Sequence, residues 1–274
     1  MRFTLSTPLI GEAYIPFALE AIESVRAQTL QDWEHFLVTI EPLASLFRAH
    51  FAREKRLHVL AEAHPDKGYV HARNLGLIAG TGELCIALDA DDQLEPTYLE
   101  KTSARAPPGI DHLIIATDLA EFGLKNGVWR LPADTQKLSQ ENALHVSCVF
   151  SRKLWEAAGG YDVATFGEFT DWDFWLRCFK QTPKPAVAYV RECLFRYRIH
   201  EHNTSGYTQG APQQGLWKAA MQLSHPDLYG GAERERAKET LRGMGEKPRE
   251  IVRKRLEHFP KDPGLLEIAE LLGL

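Results

Sequence analysis

Leu84-Cys85-Ile86-Ala87-Leu88-Asp89-Ala90-Asp91-Asp92 joins a short apolar run to three carboxylates within four positions. An unbroken apolar run without Gly or Pro predicts a buried strand over 84–88. If strand geometry continues, side chains alternate, and Asp89 and Asp91 share a face. Two like charges that close repel each other unless a cation lies between them. Mg²⁺ takes one or two carboxylates together with substrate phosphates. The run is therefore expected to end in a platform for a divalent cation and a diphosphate. Such a platform belongs at the carboxyl end of a central strand, where open α/β sheets bind ligands. The competing structural reading is a solvated acidic turn followed by a helix, with Asp92 to Pro96 as its entry. A lone Asp-x-Asp does not choose between them.

The residues before this run set it in a repeating pattern. Strands are expected at 2–6, ending at Thr7-Pro8, and at 33–40 and 57–60. Helices are expected from Pro16 through Ala27, over 42–51, and over 69–79 after the loop Asp66-Lys67-Gly68. Pro16 suits a first helical position. Alternation with short connections predicts a mostly parallel sheet with helices on both faces, an α/β fold. A helix over 97–105 and the break Pro107-Pro108-Gly109 close this half.

The second half reads differently. Strands are expected at 112–117, 119–124 and 128–131, the last two joined by the hairpin signal Asn126-Gly127. A strand over 146–150 leads to a helix over 152–158, stopped by Gly159-Gly160. A helix over 171–180 and strands at 186–190 and 194–199 precede a polar loop over 200–210. From Pro212 onward the chain reads as helical, with breaks at 225–226, 243–248 and 260–263.

Composition bounds the possibilities. The 274 residues, 44% hydrophobic and 25% charged, suit one large domain or a domain with an appendage. A net charge of −5 gives no general attraction to nucleic acid or anionic membrane. No apolar run approaches the length of a spanning helix, and the N-terminus lacks the apolar core of a signal peptide. Cys85, Cys148, Cys178 and Cys193 are far apart in apolar surroundings and are expected as buried, reduced thiols. A cytoplasmic protein is the expectation.

Further residues can carry chemistry. Asp171 and Asp173 open a helix whose apolar stripe, Trp172, Trp175, Leu176 and Phe179, leaves a carboxylate on either flank. Either is a candidate general base. A capping box, Thr170-x-x-Asp173, with acidic groups complementing the helix dipole, explains the same residues structurally. Arg73 can pair with a phosphate or a base carbonyl, or be an ordinary surface arginine. His200 is a candidate metal or phosphate ligand, with His202 and Asn203 near enough to compete.

The order of motifs narrows the reading. Thr7-Pro8 precedes Ala21-Ile22-Glu23-Ser24-Val25, Ala27-Gln28-Thr29 and Asp32-Trp33-Glu34. Gly68, Ala72-Arg73-Asn74-Leu75-Gly76 and Thr81-Gly82-Glu83 lead to Leu88-Asp89-Ala90-Asp91-Asp92. Gly159-Gly160-Tyr161-Asp162, Asp171-Trp172-Asp173-Phe174-Trp175-Leu176-Arg177 and Tyr197-Arg198-Ile199-His200 follow. This succession, over residues 1–205, resembles the family 2 glycosyltransferases of the GT-A fold. The resemblance implies a Rossmann-like, mostly parallel sheet with a nucleotide-binding half (1–106) and an acceptor-binding half (107–205). Residues 206–274 would be a helical C-terminal extension outside it.

The implied reaction moves a sugar from a nucleotide-diphosphate donor, a UDP-sugar by family, to the hydroxyl of a glycan or other acceptor. Inversion, dependence on Mg²⁺ or Mn²⁺, and a place in polysaccharide or cell-surface glycan synthesis go with it. Carried over by position, Asp91 ligates the metal on the diphosphate, and His200 approaches the diphosphate or metal. Asp89 contacts the ribose or the metal shell, and Thr7, Pro8 and Arg73 line the nucleotide pocket. Asp171 is the base, as the second residue of the family's Glu-Asp pair.

Three departures stand out, the first being that the loop after Pro8 lacks the family's usual Tyr-Asn. Thr39-Ile40-Glu41-Pro42 occupies the place of the family's base-reading Asp-Asp-Gly-Ser, so that either Glu41 substitutes or the base is read differently there. Thr170 replaces the Glu before the base. Thr39 and Thr170 motivate the alternative of a catalytically silent relative that binds a nucleotide sugar or serves as a scaffold. A nucleotidyltransferase is the weaker rival, because residues 7–13 hold one Gly and no Lys or Arg for a triphosphate loop. The tail leaves peripheral membrane contact, acceptor binding and a second subunit open.

Overall fold

The computed structural model describes residues 2–64, 67–132, 138–164, 169–201, 203 and 211–274. Asp66, His202 and most of the expected polar loop, 204–210, lie outside the described residues. The chain divides into two compact units. One comprises Met1–Tyr161 with Phe174–His200, the other Asp162–Asp173 with Glu201–Leu274.

The first unit opens with β1 (Phe3–Leu9), α1 (Ile15–Arg26), β2 (Trp33–Thr39), α2 (Leu43–His50), β3 (Leu57–Ala61), α3 (Gly68–Ala79) and β4 (Leu84–Ala87). Strands β3, β2, β1 and β4 lie side by side, all parallel. Every residue of β1, β2 and β4 is buried, as expected of strands covered on both faces. On α1, Ala18, Ala21, Ile22 and Val25 form the buried stripe, and Pro16 sits in the first turn. β1 runs through Thr7-Pro8 instead of ending there. β4 pairs with β1 only from Phe3 to Ser6, so Pro8 lies where one side of the strand needs no donor.

The sheet continues through β5 (Gln93–Leu94), β6 (Leu113–Gly123), β7 (Gly127–Trp129), β8 (Val149–Ser151) and β9 (Ala186–Ile199), with helices α4 (Tyr98–Ser103), α5 (Arg152–Ala157) and α6 (Thr170–Phe179) between them. Among the described residues it has nine strands, in the order β3-β2-β1-β4-β8-β6-β9-β5 with β7 on β6. Pairing in this half is mixed: β6 and β9 are parallel, while β8, β5 and β7 pair antiparallel.

The strands expected at 112–117 and 119–124 are one strand, β6, and those at 186–190 and 194–199 are one strand, β9. The interruptions in the pattern, at Asp118 and at Arg191-Glu192, are a register shift between the two and not strand ends. A bulge leaves its extra residues outside the ladder, so polar side chains are tolerated there. Asp118 accepts from the Leu131 amide (3.0 Å) and pairs with Arg191 (3.4 Å). The Asn126-Gly127 hairpin is present, with Glu121 opposite Gly127.

The second unit has its own apolar core beneath α7 (Ala211–Ser224), α8 (Gly231–Arg242), α9 (Glu246–His258) and α10 (Pro263–Leu272). Leu216, Leu223, Leu241, Val252, Leu265 and Ile268 are buried in it. Asp262 caps α10 by accepting from the Leu265 amide (2.8 Å), and Gly273 ends the helix at φ 71°. Pro248 falls inside the first turn of α9 instead of in a break, where its missing N–H costs no helical bond. Cys85, Cys148 and Cys178 are buried thiols outside any disulfide; Cys193, expected to be buried, is only half-buried. No helix of the described residues is long and apolar enough to cross a membrane.

Candidate active site

β4 delivers the acidic cluster, but the strand stops at Ala87. The chain turns at Ala90-Asp91, closed by the Asp92 amide donating to the Asp89 carbonyl (3.1 Å). The expected common strand face for Asp89 and Asp91 is therefore not formed; the turn gives each carboxylate its own partner.

Asp89 accepts from Arg73 of α3, Nη2 to Oδ1 at 2.5 Å. Arg73 is almost fully buried, its guanidinium over the rings of Tyr69 (5.4 Å) and Tyr161 (4.9 Å). Burial works against the charge, but Asp89 together with Tyr161 and Tyr69 more than compensates, and Arg73 stays firmly protonated. Burial pushes the Asp89 carboxyl up, while Arg73 opposes the shift. The alternative of an ordinary surface arginine is thereby removed.

Asp91 lies beside His200, at the end of β9: Oδ2 to Nε2 is 2.9 Å. The imidazole packs against Phe17 (5.1 Å) and edge-on against Tyr14 (5.7 Å). Burial, and after it the charges of Asp91 and Asp89, raise the Tyr14 hydroxyl pKa, so Tyr14 stays a neutral donor near the cluster.

Asp92 is buried and accepts from the Arg198 amide (2.8 Å), while its Oδ2 has no hydrogen-bond partner among the described residues. Burial and the neighbouring charges of Asp91 and Asp89 push its carboxyl well above the usual range. Arg198 also donates Nε to the Asp91 carbonyl (2.7 Å) and pairs with Glu20 (2.5 Å).

The other expected nucleotide contacts are placed as follows. Thr7 and Pro8 lie on β1; the Thr7 hydroxyl is buried 2.8 Å from Nε2 of His35. Burial lowers the pKa of His35 to about 3, so the ring is neutral. Thr39 is buried and donates to the Leu9 carbonyl (2.7 Å). Glu41 is exposed and turned to the Ser45 hydroxyl (2.8 Å) and Arg48 (2.9 Å).

Sequence reasoning assigned no role to Tyr14, Phe17 or Arg198. Arg198 stood within a quoted motif; the two aromatics carry no local signal, because only the fold brings α1 to His200. Gly159-Gly160-Tyr161 proves to be a support for Arg73. Both glycines have positive φ (77° and 72°). Asn74 donates to the Tyr161 carbonyl (2.7 Å) and accepts from its amide (3.0 Å), and so fixes the ring over Arg73.

Asp171 belongs to the second unit. It sits in the first turn of α6, half-buried, with Oδ1 accepting from the Trp172 amide (2.8 Å). Asp173 is not on an open flank as expected. It is buried, with Oδ1 2.8 Å from Nε2 of His225. Trp172, Phe174, Trp175 and Leu176 are buried on either side of it, so the helix is covered nearly all round and has no solvated flank there.

A divalent cation fits one part of this arrangement. Among the described residues no three His, Cys, Asp or Glu side chains could hold a metal by themselves. Asp91 and His200 offer an oxygen and a nitrogen donor side by side, which leaves room in the shell for diphosphate oxygens.

Comparison with known proteins gives a consistent result. Residues 8–131 match the model of the family described as Glycosyl transferase family 2. An uncharacterized glycosyltransferase of Bacillus subtilis (strain 168), YwdF, is 27% identical over 205 residues, covering 68% of this chain and 74% of that one. Among solved structures, S. aureus TarS 1-349 in complex with UDP-GlcNAc is similar at a TM-score of 0.64 and 11% identity, over 100% of this chain and 91% of that one. The chain spans 55% of the longer TarS structure. The mannosyltransferase PcManGT from Pyrobaculum calidifontis, in complex with GDP-Man and Mn2+, matches at 0.60 and 14%, over 99% and 84%. At such identities the structural likeness establishes the fold.

Proposed function

We propose that this chain is a glycosyltransferase, a reading supported by the match of residues 8–131 to Glycosyl transferase family 2, and that it transfers a sugar from a nucleoside-diphosphate donor to an acceptor hydroxyl with inversion, dependent on Mg²⁺ or Mn²⁺. The observation that carries this reading is the pair of contacts at the end of β4: Asp89 held by Arg73, and Asp91 beside His200. It is supported by TarS, solved with UDP-GlcNAc, and PcManGT, solved with GDP-Man and Mn2+.

Asp91 and His200 would hold the cation. When bound, it offsets charge on the departing diphosphate. Asp89, immobilised by Arg73, presents its remaining oxygen to the ribose of the donor. Thr7 and Pro8 form the floor of the nucleotide site. Thr39 is buried and committed to the Leu9 carbonyl, so of the two residues replacing the usual base-reading acids, the exposed Glu41 is the one that can turn toward a base, by giving up Ser45 and Arg48. Asp171 accepts the proton of the acceptor hydroxyl as its oxygen attacks the anomeric carbon. The bond from that carbon to the diphosphate breaks, and its electron pair leaves with the diphosphate. Attack opposite the leaving group inverts the centre. A glycan acceptor, in polysaccharide or cell-surface glycan synthesis, completes the reading.

The test is calorimetric titration of the full chain with UDP, GDP, CDP and dTDP, each with Mn²⁺ and with EDTA. Metal-dependent selection of one nucleotide is expected. A folded protein that binds none of them refutes the reading.

A further inference from the structure

Asp162–Asp173, the segment that carries Asp171, clusters with the C-terminal helices and not with the sheet. Three contacts inside that unit hold it. Arg255 of α9 donates to the carbonyls of Val163 and Ala164, the latter at 3.3 Å. Phe169 packs edge-on against Trp172 of α6 (5.3 Å) and against Trp217 of α7 (6.5 Å). His225, just beyond α7, meets Asp173 at 2.8 Å, their side chains only 2% and 4% exposed.

The third contact is the one that packing alone does not explain. A carboxylate in a helix covered nearly all round is costly unless it is hydrogen-bonded, and an aliphatic residue would fill the same space at lower cost. The cavity beside Asp173, about 20 Å³, has room for about one water. A directional contact between two rigid groups does what an apolar contact cannot: it fixes both the rotation and the height of a helical turn. Asp173 is two residues from Asp171 on that turn.

We propose that His225 is a positioning residue for catalysis. Through Asp173 it locks the first turn of α6, and with it the carboxylate of Asp171. The C-terminal helices are thus part of the transferase machinery and not an appendage. This rests on Asp171 being the base.

Turnover is read as nucleotide released from UDP-GlcNAc or GDP-mannose, whichever binds with Mn²⁺, using water and simple glycosides as acceptors. His225→Ala is expected to lower kcat about 100-fold, the usual effect of displacing a reacting group by about 1 Å. Its donor Kd should stay within about two-fold of wild type, because no donor contact is assigned to that residue. His225→Gln keeps an N–H donor and should recover kcat to within about five-fold.

Asp171→Asn serves as the reference variant. A wild-type kcat in His225→Ala beside an inactive Asp171→Asn overturns the inference and leaves the base assignment standing. An active Asp171→Asn overturns both. Parallel loss of donor affinity and kcat in His225→Ala, or no recovery in His225→Gln, marks a bulk structural role and overturns the inference alone. If His225→Ala does not fold, amide exchange over residues 169–176 of His225→Gln decides. Wild-type protection with retained turnover is expected; wild-type protection with turnover lost refutes the proposal.

Discussion

Arg73 is a guanidinium with 1% of its side chain in water, and its charge is balanced by Asp89, which keeps 33% exposed. Arg73→Ala would leave the carboxylate without its counter-charge. The expected cost is about 2–3 kcal/mol, below that of a wholly buried pair because water still reaches Asp89; urea unfolding measures it. Asp91→Asn should abolish metal-dependent nucleotide binding, since a neutral amide does not balance a cation; unchanged affinity in saturating Mn²⁺ would remove Asp91 from the site. His145 gives a pH prediction. Burial lowers its pKa to about 3, so the folded state stays unprotonated where the unfolded chain, near 6.5, takes up a proton. Its contribution is therefore present above about pH 6.5 and is lost as pH falls. Between pH 7.5 and 5.5 the loss is about 1.4 kcal/mol, and a folded His145→Asn variant should be less pH-sensitive by that amount.

The parallel half of the sheet depends on close approach between elements. A Cβ on Gly82 would lie 2.6–2.7 Å from backbone atoms of Arg2, Phe3 and Thr4. Backbone atoms of a central strand cannot step aside, so Gly82→Ala is expected to cost about 2–3 kcal/mol by thermal or urea melting. A cost near zero would mean that β1 and the entry to β4 are looser than described. The elements of this half were legible in the sequence, because apolar runs of strand length alternate with helical spacing and Pro or Gly punctuates them. β6 and β9 were not: a polar interruption reads as a strand end, and only a neighbouring strand bearing the matching interruption turns it into a bulge. Two-residue β5 lacks the length for any periodicity; it is a strand because β9 lies beside it.

At the scale of the whole molecule, each unit has its own core, and each should respond to its own defects. Leu241→Ala, at a fully buried position of the helical unit, is expected to cost about 3 kcal/mol. Hydrogen exchange should quicken over α7 to α10 while β1, β2 and β4 keep their protection. Equal quickening in those strands would show one cooperative unit instead. The sequence by itself determined the alternating α/β half, the helical tail and the order of motifs that points to a family 2 glycosyltransferase. All of these rest on spacing between near neighbours. Only the tertiary structure decided that Asp91 meets His200, 109 positions away, that Arg73 is buried against Asp89, and that Asp173 faces His225. Such pairs are chosen by strand order and helix packing, which join residues whose separation along the chain carries no periodic signal.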